Sequence, residues 1–356
     1  MKKIIFGVIG ILTITLIIYM VLLNYNEKYQ FKKKMRKSGY NDEEIITVME
    51  MIPKKDYDII LKRKYNDSLI DIISSDDFKE NYLDMYLDYY EKNSDEDIQN
   101  IITIVNSGYD LDDYPASSLL AKLVNEKYYI YKNTARYLDY GNSHKETPRK
   151  IVGLVNANVD LGFYNKVLAS DLNDNNLILV NKFYYLDKTY EPDDLIILSG
   201  QYNGGVNNRL RKEAAEAFMK MASAALLDNV YIKNISAYRS YDYQVNLYDK
   251  YVRRDGKEKA DIYSARPGFS EHQTGLCLDI NSADDSFKDT KEAKWLQDNA
   301  YKYGFILRFP KGKEDITGYK YEPWHYRYVG TDAARIIYDN DLTLEEYYAY
   351  YVKNKI

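Results

Sequence analysis

The chain has three histidines, His144, His272 and His325. Two of them lie close to carboxylates in ways that could do chemistry. His272 and Asp279 are seven residues apart in "PGFSEHQTGLCLDI", and Glu322 and His325 lie three apart in "YEPWHYRYVG". Two histidines and one carboxylate form a common three-ligand set for catalytic Zn²⁺, leaving the fourth position to water. In this reading His272, Asp279 and His325 hold the metal and Glu322 is a base beside it. Asp279 ends the apolar strand pattern "LCLDI", and a lone buried carboxylate is costly unless paired or bound to a metal. Each residue also has a plainer reading: His272 as a capped loop histidine, Asp279 as a surface strand end, His325 as part of an aromatic cluster with Trp324 and Tyr326. His144, in the polar turn "GNSHKETP", reads as solvated.

The elements that must position these residues are legible in outline. "KIVGLVNANVDL" reads as a strand, and "NKFYYLDKTYEPDDLIIL" as an extended segment with a Pro-Asp turn. Residues 209–229 form an Ala-rich amphipathic helix, followed by the short strand "VYIKNISAY". A further helix over 290–305, stopped by Gly304, precedes two strand-like pieces, "ILRFP" and "KYEPWHYRYV". This alternation predicts an α+β domain with a small antiparallel sheet and flanking helices around the site. Residues three apart on an ideal strand face opposite ways, so Pro323 is expected to break the regularity and let Glu322 and His325 reach one cavity.

Residues 37–150 have helical periodicity. Asn41 with Glu44 three residues on makes a capping-box pattern, and Ser94 with Gly108 brackets a second helix. The tripeptide Ser-Gly-Tyr recurs at 38–40 and 107–109, consistent with two helical hairpins serving as a stalk or accessory region. Ahead of them, Ile4 to Leu23 is an uncharged run of twenty residues, long enough to cross a hydrocarbon core of ~30 Å. It predicts a single-pass N-terminal membrane helix. Lysines on both sides of the run would by charge count keep the body of the chain in the cytoplasm. The expected division is 1–36 as anchor and basic flank, 37–150 as the helical region, and 151–356 as the catalytic domain. A net charge of −5 and pI near 5.5 argue against a nucleic-acid partner. The single cysteine, Cys277, excludes an intramolecular disulfide.

Four ordered blocks carry more than spacing. "SAYRSYDYQ", "ARPGFSEHQTGLCLDI", "WLQDNAYKYGFILRFP" and "ITGYKYEPWHYRYVG" together resemble the VanY-type D-alanyl-D-alanine carboxypeptidases, zinc peptidases that trim peptidoglycan stem peptides. The resemblance spans about residues 181–350. It implies that His272, Asp279 and His325 ligate zinc and that Glu322 is the catalytic base. It further implies that Arg239 faces the substrate carboxylate or the developing oxyanion, and that Gln244 and Ser270 line the substrate pocket. Cys277 departs from the small apolar residue more usual in the family. The activity implied is D,D-carboxypeptidase, with L,D-carboxypeptidase, endopeptidase and an inactive zinc-containing binding module as alternatives. Such an activity would place the catalytic domain outside the cell, against the charge count.

Overall fold

The computed structural model describes residues 2–354, with side chains from residue 12 onward. The chain divides into two compact units, Met1–Glu126 and Lys127–Ile356.

The first unit is helical: α1 (Lys2–Ser38), α2 (Asp42–Met51), α3 (Tyr57–Leu61), α4 (Leu69–Ile73), α5 (Leu83–Lys92), α6 (Ile98–Asn106) and α7 (Ser118–Leu123). At α2 the capping box forms as expected: Asn41 Oδ1 accepts from the Glu44 N–H, and Glu44 Oε2 accepts from the Asn41 N–H. The cap of α6 is Asp97 instead of Ser94, so that helix starts three residues later than its serine suggested. Its apolar face then buries Ile101, Ile102, Ile104 and Val105.

The expected membrane span does not hold. Among the described residues, no helix is long and apolar enough to cross a membrane. Residues 4–11 of the Ile4–Leu23 run lie outside the described side chains. Beyond that run, α1 continues into Glu27, Lys28 and the basic cluster from Lys32 to Lys37. The expected transmembrane helix, membrane partner and single-pass localisation with an extracellular catalytic domain are therefore not supported.

The second unit contains α8 (Thr134–Ser143), α9 (Pro148–Asn156), α10 (Lys212–Leu227), α11 (Tyr241–Asp255), α12 (Lys257–Tyr263), α13 (Lys291–Asn299), α14 (Glu314–Thr317), α15 (Thr331–Asp339) and α16 (Leu344–Tyr347). Its strands are β1 (Leu168–Ala169), β2 (Tyr184–Tyr185), β3 (Leu195–Ile197), β4 (Asn203–Asn207), β5 (Arg209–Arg211), β6 (Asn234–Ser236), β7 (Cys277–Ile280), β8 (Phe305–Leu307) and β9 (His325–Tyr328). The segment "KIVGLVN", expected as a strand, is α9. The Thr147 hydroxyl caps it by accepting from the Lys150 N–H, and Pro148 occupies the first helical turn. A short apolar run fits either state, and here the N-terminal signals decide it.

The α+β class holds. A five-stranded sheet runs in the order β4-β6-β7-β9-β8. Its neighbours are antiparallel apart from the β4–β6 edge pair, which is parallel. Alternation along β7 and β9 separates two jobs. Leu278, Ile280, Tyr326 and Tyr328 enter the core with Phe218 and Met221 of α10 and Leu296 of α13. Cys277, Asp279, His325 and Arg327 share the opposite face. The register sets Asp279 opposite His325 and Cys277 opposite Arg327. Both faces of the sheet are covered, so all four are buried.

Candidate active site

A cavity of 460 Å³ opens over that second face, and His272, Asp279, Glu322, His325, Arg239 and Ser270 all line it. Gln244, expected among them, lies behind the lining: its amide donates to the Ala265 carbonyl and packs near Ser264. His144 stays exposed, stacked on Tyr140, and is not among the residues that line the cavity.

His272 sits in a 3₁₀ turn, Glu271–Thr274, that ends at Gly275 with φ +65°. A side chain at Gly275 would be strained by that φ, and its Cβ would come within 2.7 Å of Leu195. The turn aims the imidazole inward. Its Nδ1 lies 2.7 Å from the Ala237 carbonyl, which can only accept, so the proton is on Nδ1 and the Nε2 lone pair is free. That Nε2 is buried with no hydrogen-bond partner and stands 3.6 Å from Asp279 Oδ2. His325 Nδ1 faces the other oxygen, Asp279 Oδ1, at 3.2 Å. Two imidazoles and one carboxylate thus converge on one point, and that donor set suits Zn²⁺. Cys277 complicates this picture: His272, Cys277 and His325 each offer a ligand atom within 4.8 Å of the others.

Glu322 precedes β9, in the turn where Pro323 breaks the strand, and its Oε2 is 3.8 Å from His325 Nδ1. The expectation that both side chains reach one cavity is met. Arg239 leads into α11, its backbone N–H bonded to the His272 carbonyl. Its Nη1 donates to Ser236 Oγ at 3.1 Å and lies 3.5 Å from Asp279 Oδ2, while Nε has no partner.

The electrostatics differ group by group. Burial, and then the Arg239 charge, lower His272 to about 3, which keeps it neutral as a ligand must be. Burial would raise Asp279, but the facing His272, His325 and Arg239 outweigh it and hold it at about 2. Burial pushes Glu322 up to about 7, with Asp279 adding to the rise. A carboxylate tuned to that range suits a proton carrier at neutral pH. Burial alone would lower His325, yet Cys277, Asp279 and Glu271 together push it well above its usual value.

One participant escaped the sequence reading. Glu271, adjacent to His272, is buried at the cavity's edge and lies 3.7 Å from His325 Nε2. Its partners are Arg308 and Arg327. The available signal was the arginines inside the strand patterns "ILRFP" and "HYRYV", since a buried guanidinium demands a carboxylate.

A family model described as VanY, D-alanyl-D-alanine carboxypeptidase, matches residues 207–331. The "Putative carboxypeptidase YodJ" of Bacillus subtilis (strain 168) is 50% identical over 184 residues, covering 49% of this chain and 67% of that one. The D-alanyl-D-alanine carboxypeptidase of Enterococcus faecium is 37% identical over 189 residues, covering 51% of this chain and 59% of that protein. The bifunctional D-Ala-D-Ala dipeptidase and D-Ala-D-Ala carboxypeptidase VanXYC of Enterococcus gallinarum is 34% identical over 184 residues, covering 49% of this chain and 95% of its own. Among solved structures, the LdcB LD-carboxypeptidase is 48% identical, with 51% of this chain and 89% of that one covered and a TM-score of 0.49. On the strength of the family model and of the B. subtilis and E. gallinarum relatives, the chain belongs to the VanY-type D-alanyl-D-alanine carboxypeptidase family.

Proposed function

We propose that the chain is a zinc-dependent D,D-carboxypeptidase that removes the terminal D-Ala from peptidoglycan stem peptides, with its activity in residues 151–356. The observation that carries this reading is the convergence of His272 Nε2, Asp279 and His325 Nδ1 beside Glu322 and Arg239 in one cavity. The names of the E. faecium and E. gallinarum relatives support the D-Ala-D-Ala substrate.

In this reading His272, Asp279 and His325 hold Zn²⁺. When bound, the metal supplies Lewis acidity, polarising the scissile carbonyl and making water acidic enough to deprotonate near neutral pH. The residues do the rest. A Glu322 carboxylate oxygen takes a proton from the attacking water and passes it to the leaving amine. The 460 Å³ cavity encloses the chain end, and its buried walls strengthen the polar contacts made there. Arg239 is part-buried, with Nε unpaired, and its planar fork fits the terminal carboxylate that marks an exopeptidase substrate. Ser270 adds a buried hydroxyl at the cavity wall.

The test is mass spectrometry of stem peptides incubated with the zinc-loaded protein. Release of one D-Ala from a peptide ending in D-Ala-D-Ala, with the peptide ending in a single D-Ala after an L-centre left intact, is the expected outcome. Cleavage of the second peptide alone would replace the D,D assignment with the L,D one, and cleavage of an internal cross-bridge would indicate an endopeptidase.

A further inference from the structure

His272 and His325 are oriented by different means. Behind His272 stands the Ala237 carbonyl; behind His325 stands a charge cluster. Arg308 Nε at 2.8 Å and Arg327 Nη1 at 2.9 Å both donate to the same oxygen of Glu271, Oε1. The other oxygen, Oε2, is buried without a hydrogen bond and lies 3.7 Å from His325 Nε2, itself buried without one. Arg308 then donates to both oxygens of Glu345 on α16, at 2.9 and 2.6 Å, and the Asn181 amide donates to Glu345 at 3.1 Å. Two guanidiniums face two carboxylates, so the cluster is neutral overall, and all four side chains are 3% exposed or less.

A purely structural cluster has no need to leave one carboxylate oxygen free and aimed at an imidazole. An imidazole that presents the Nδ1 lone pair to the cavity must carry its proton on Nε2, and something must receive that proton. Oε2 is the charged acceptor on that side, less than 1 Å beyond hydrogen-bond length. The Cys277 thiol also faces the ring, but it is a weak acceptor. We propose that Glu271 is a positioning residue for His325, holding its Nε2–H so that Nδ1 faces the metal, and that Glu345 fixes Glu271 through Arg308. The inference rests on the ligand assignment made above.

Glu271→Gln is the informative change. Its single oxygen is claimed by the two arginines, so its NH₂ group faces Nε2 and favours the wrong tautomer. Zinc affinity, measured by chelator competition on the folded protein, should fall by roughly 10- to 100-fold, with kcat falling more than KM changes. Glu345→Gln never touches His325 and should lower zinc affinity by a few-fold, which keeps the test available should Glu271→Gln fail to fold. Zinc affinities within twofold of wild type in either folded variant, alongside a lowered Tm, would reduce the cluster to a structural role and overturn the proposal. Wild-type protein that binds no zinc would instead sink the ligand assignment. The Glu271–His325 contact is then read from the ring ¹⁵N signals of metal-free protein: a shifted Nε2 resonance in Glu271→Gln supports it, and an unmoved one overturns it.

Discussion

His325 divides its site into two halves with opposite habits. On the cavity side, polar groups converge with bonds left unmade: His272 Nε2 and Arg239 Nε have no partner, and Asp279 lies between two imidazoles. On the interior side, Arg308, Arg327 and Glu345 are bonded and almost fully buried, and Glu271 keeps one oxygen in reserve. Burying an unpaired polar atom costs about 1–3 kcal/mol. At the cavity, a bound cation and substrate would supply the missing partners. In the proposed account the cavity half binds the metal and substrate, and the interior half aims His325.

Changes on the cavity side should therefore abolish function, and the largest effect is expected from His325→Ala. Zinc and activity should vanish together, with metal content read by mass spectrometry and activity by D-Ala release. Retained zinc at one equivalent would move the ligand role elsewhere. Glu322→Gln should keep the zinc and lower kcat by up to about 10⁴-fold, because the proton carrier goes while the ligands stay. An unchanged kcat would show that the base lies outside the cavity pair.

Arg239 sharpens the comparison from the substrate side. Amidating the substrate C-terminus should cost wild-type kcat/KM about 2–5 kcal/mol, the range for breaking a desolvated charge pair. Arg239→Ala should be slow on both substrates and nearly indifferent to amidation. A variant that still prefers the free acid would confine Arg239 to the oxyanion.

The smallest effect is one of stability in the metal-free protein. The native carboxyl of Glu322 titrates at about 7 because it is buried, against 4.5 ordinarily. Between those values the native state holds a proton that the unfolded state has lost, so this group's contribution falls as pH rises from about 4.5 to about 7. The Tm of Glu322→Gln minus that of wild type should grow across this window, by about 5 °C in total. A constant difference would mean the carboxyl titrates normally.

The cavity half was legible in the sequence because its residue types are rare and nearly adjacent. Two of the three histidines fall within seven residues of a carboxylate that lines the same cavity. The interior half was not, because Glu271 meets Arg308 and Arg327 across 37 and 56 residues, and only the sheet brings them together. Next to His272, Glu271 looks like a surface residue. Local apolar runs misled in the same way. "KIVGLVN" became a helix because Thr147 and Pro148 start one. Gln244 was placed at the pocket through its motif, yet its helix α11 carries it behind Ser264 and Ala265.

The account stands or falls on which atoms hold the metal. Asp279 and Cys277 share one face of β7, and both lie beside the two histidines. Zinc K-edge X-ray absorption on the loaded wild-type protein separates them. The account predicts nitrogen and oxygen neighbours at about 2.0–2.2 Å, no sulfur shell, and the same spectrum for Cys277→Ala. A sulfur neighbour at about 2.3 Å, lost in Cys277→Ala, would contradict it.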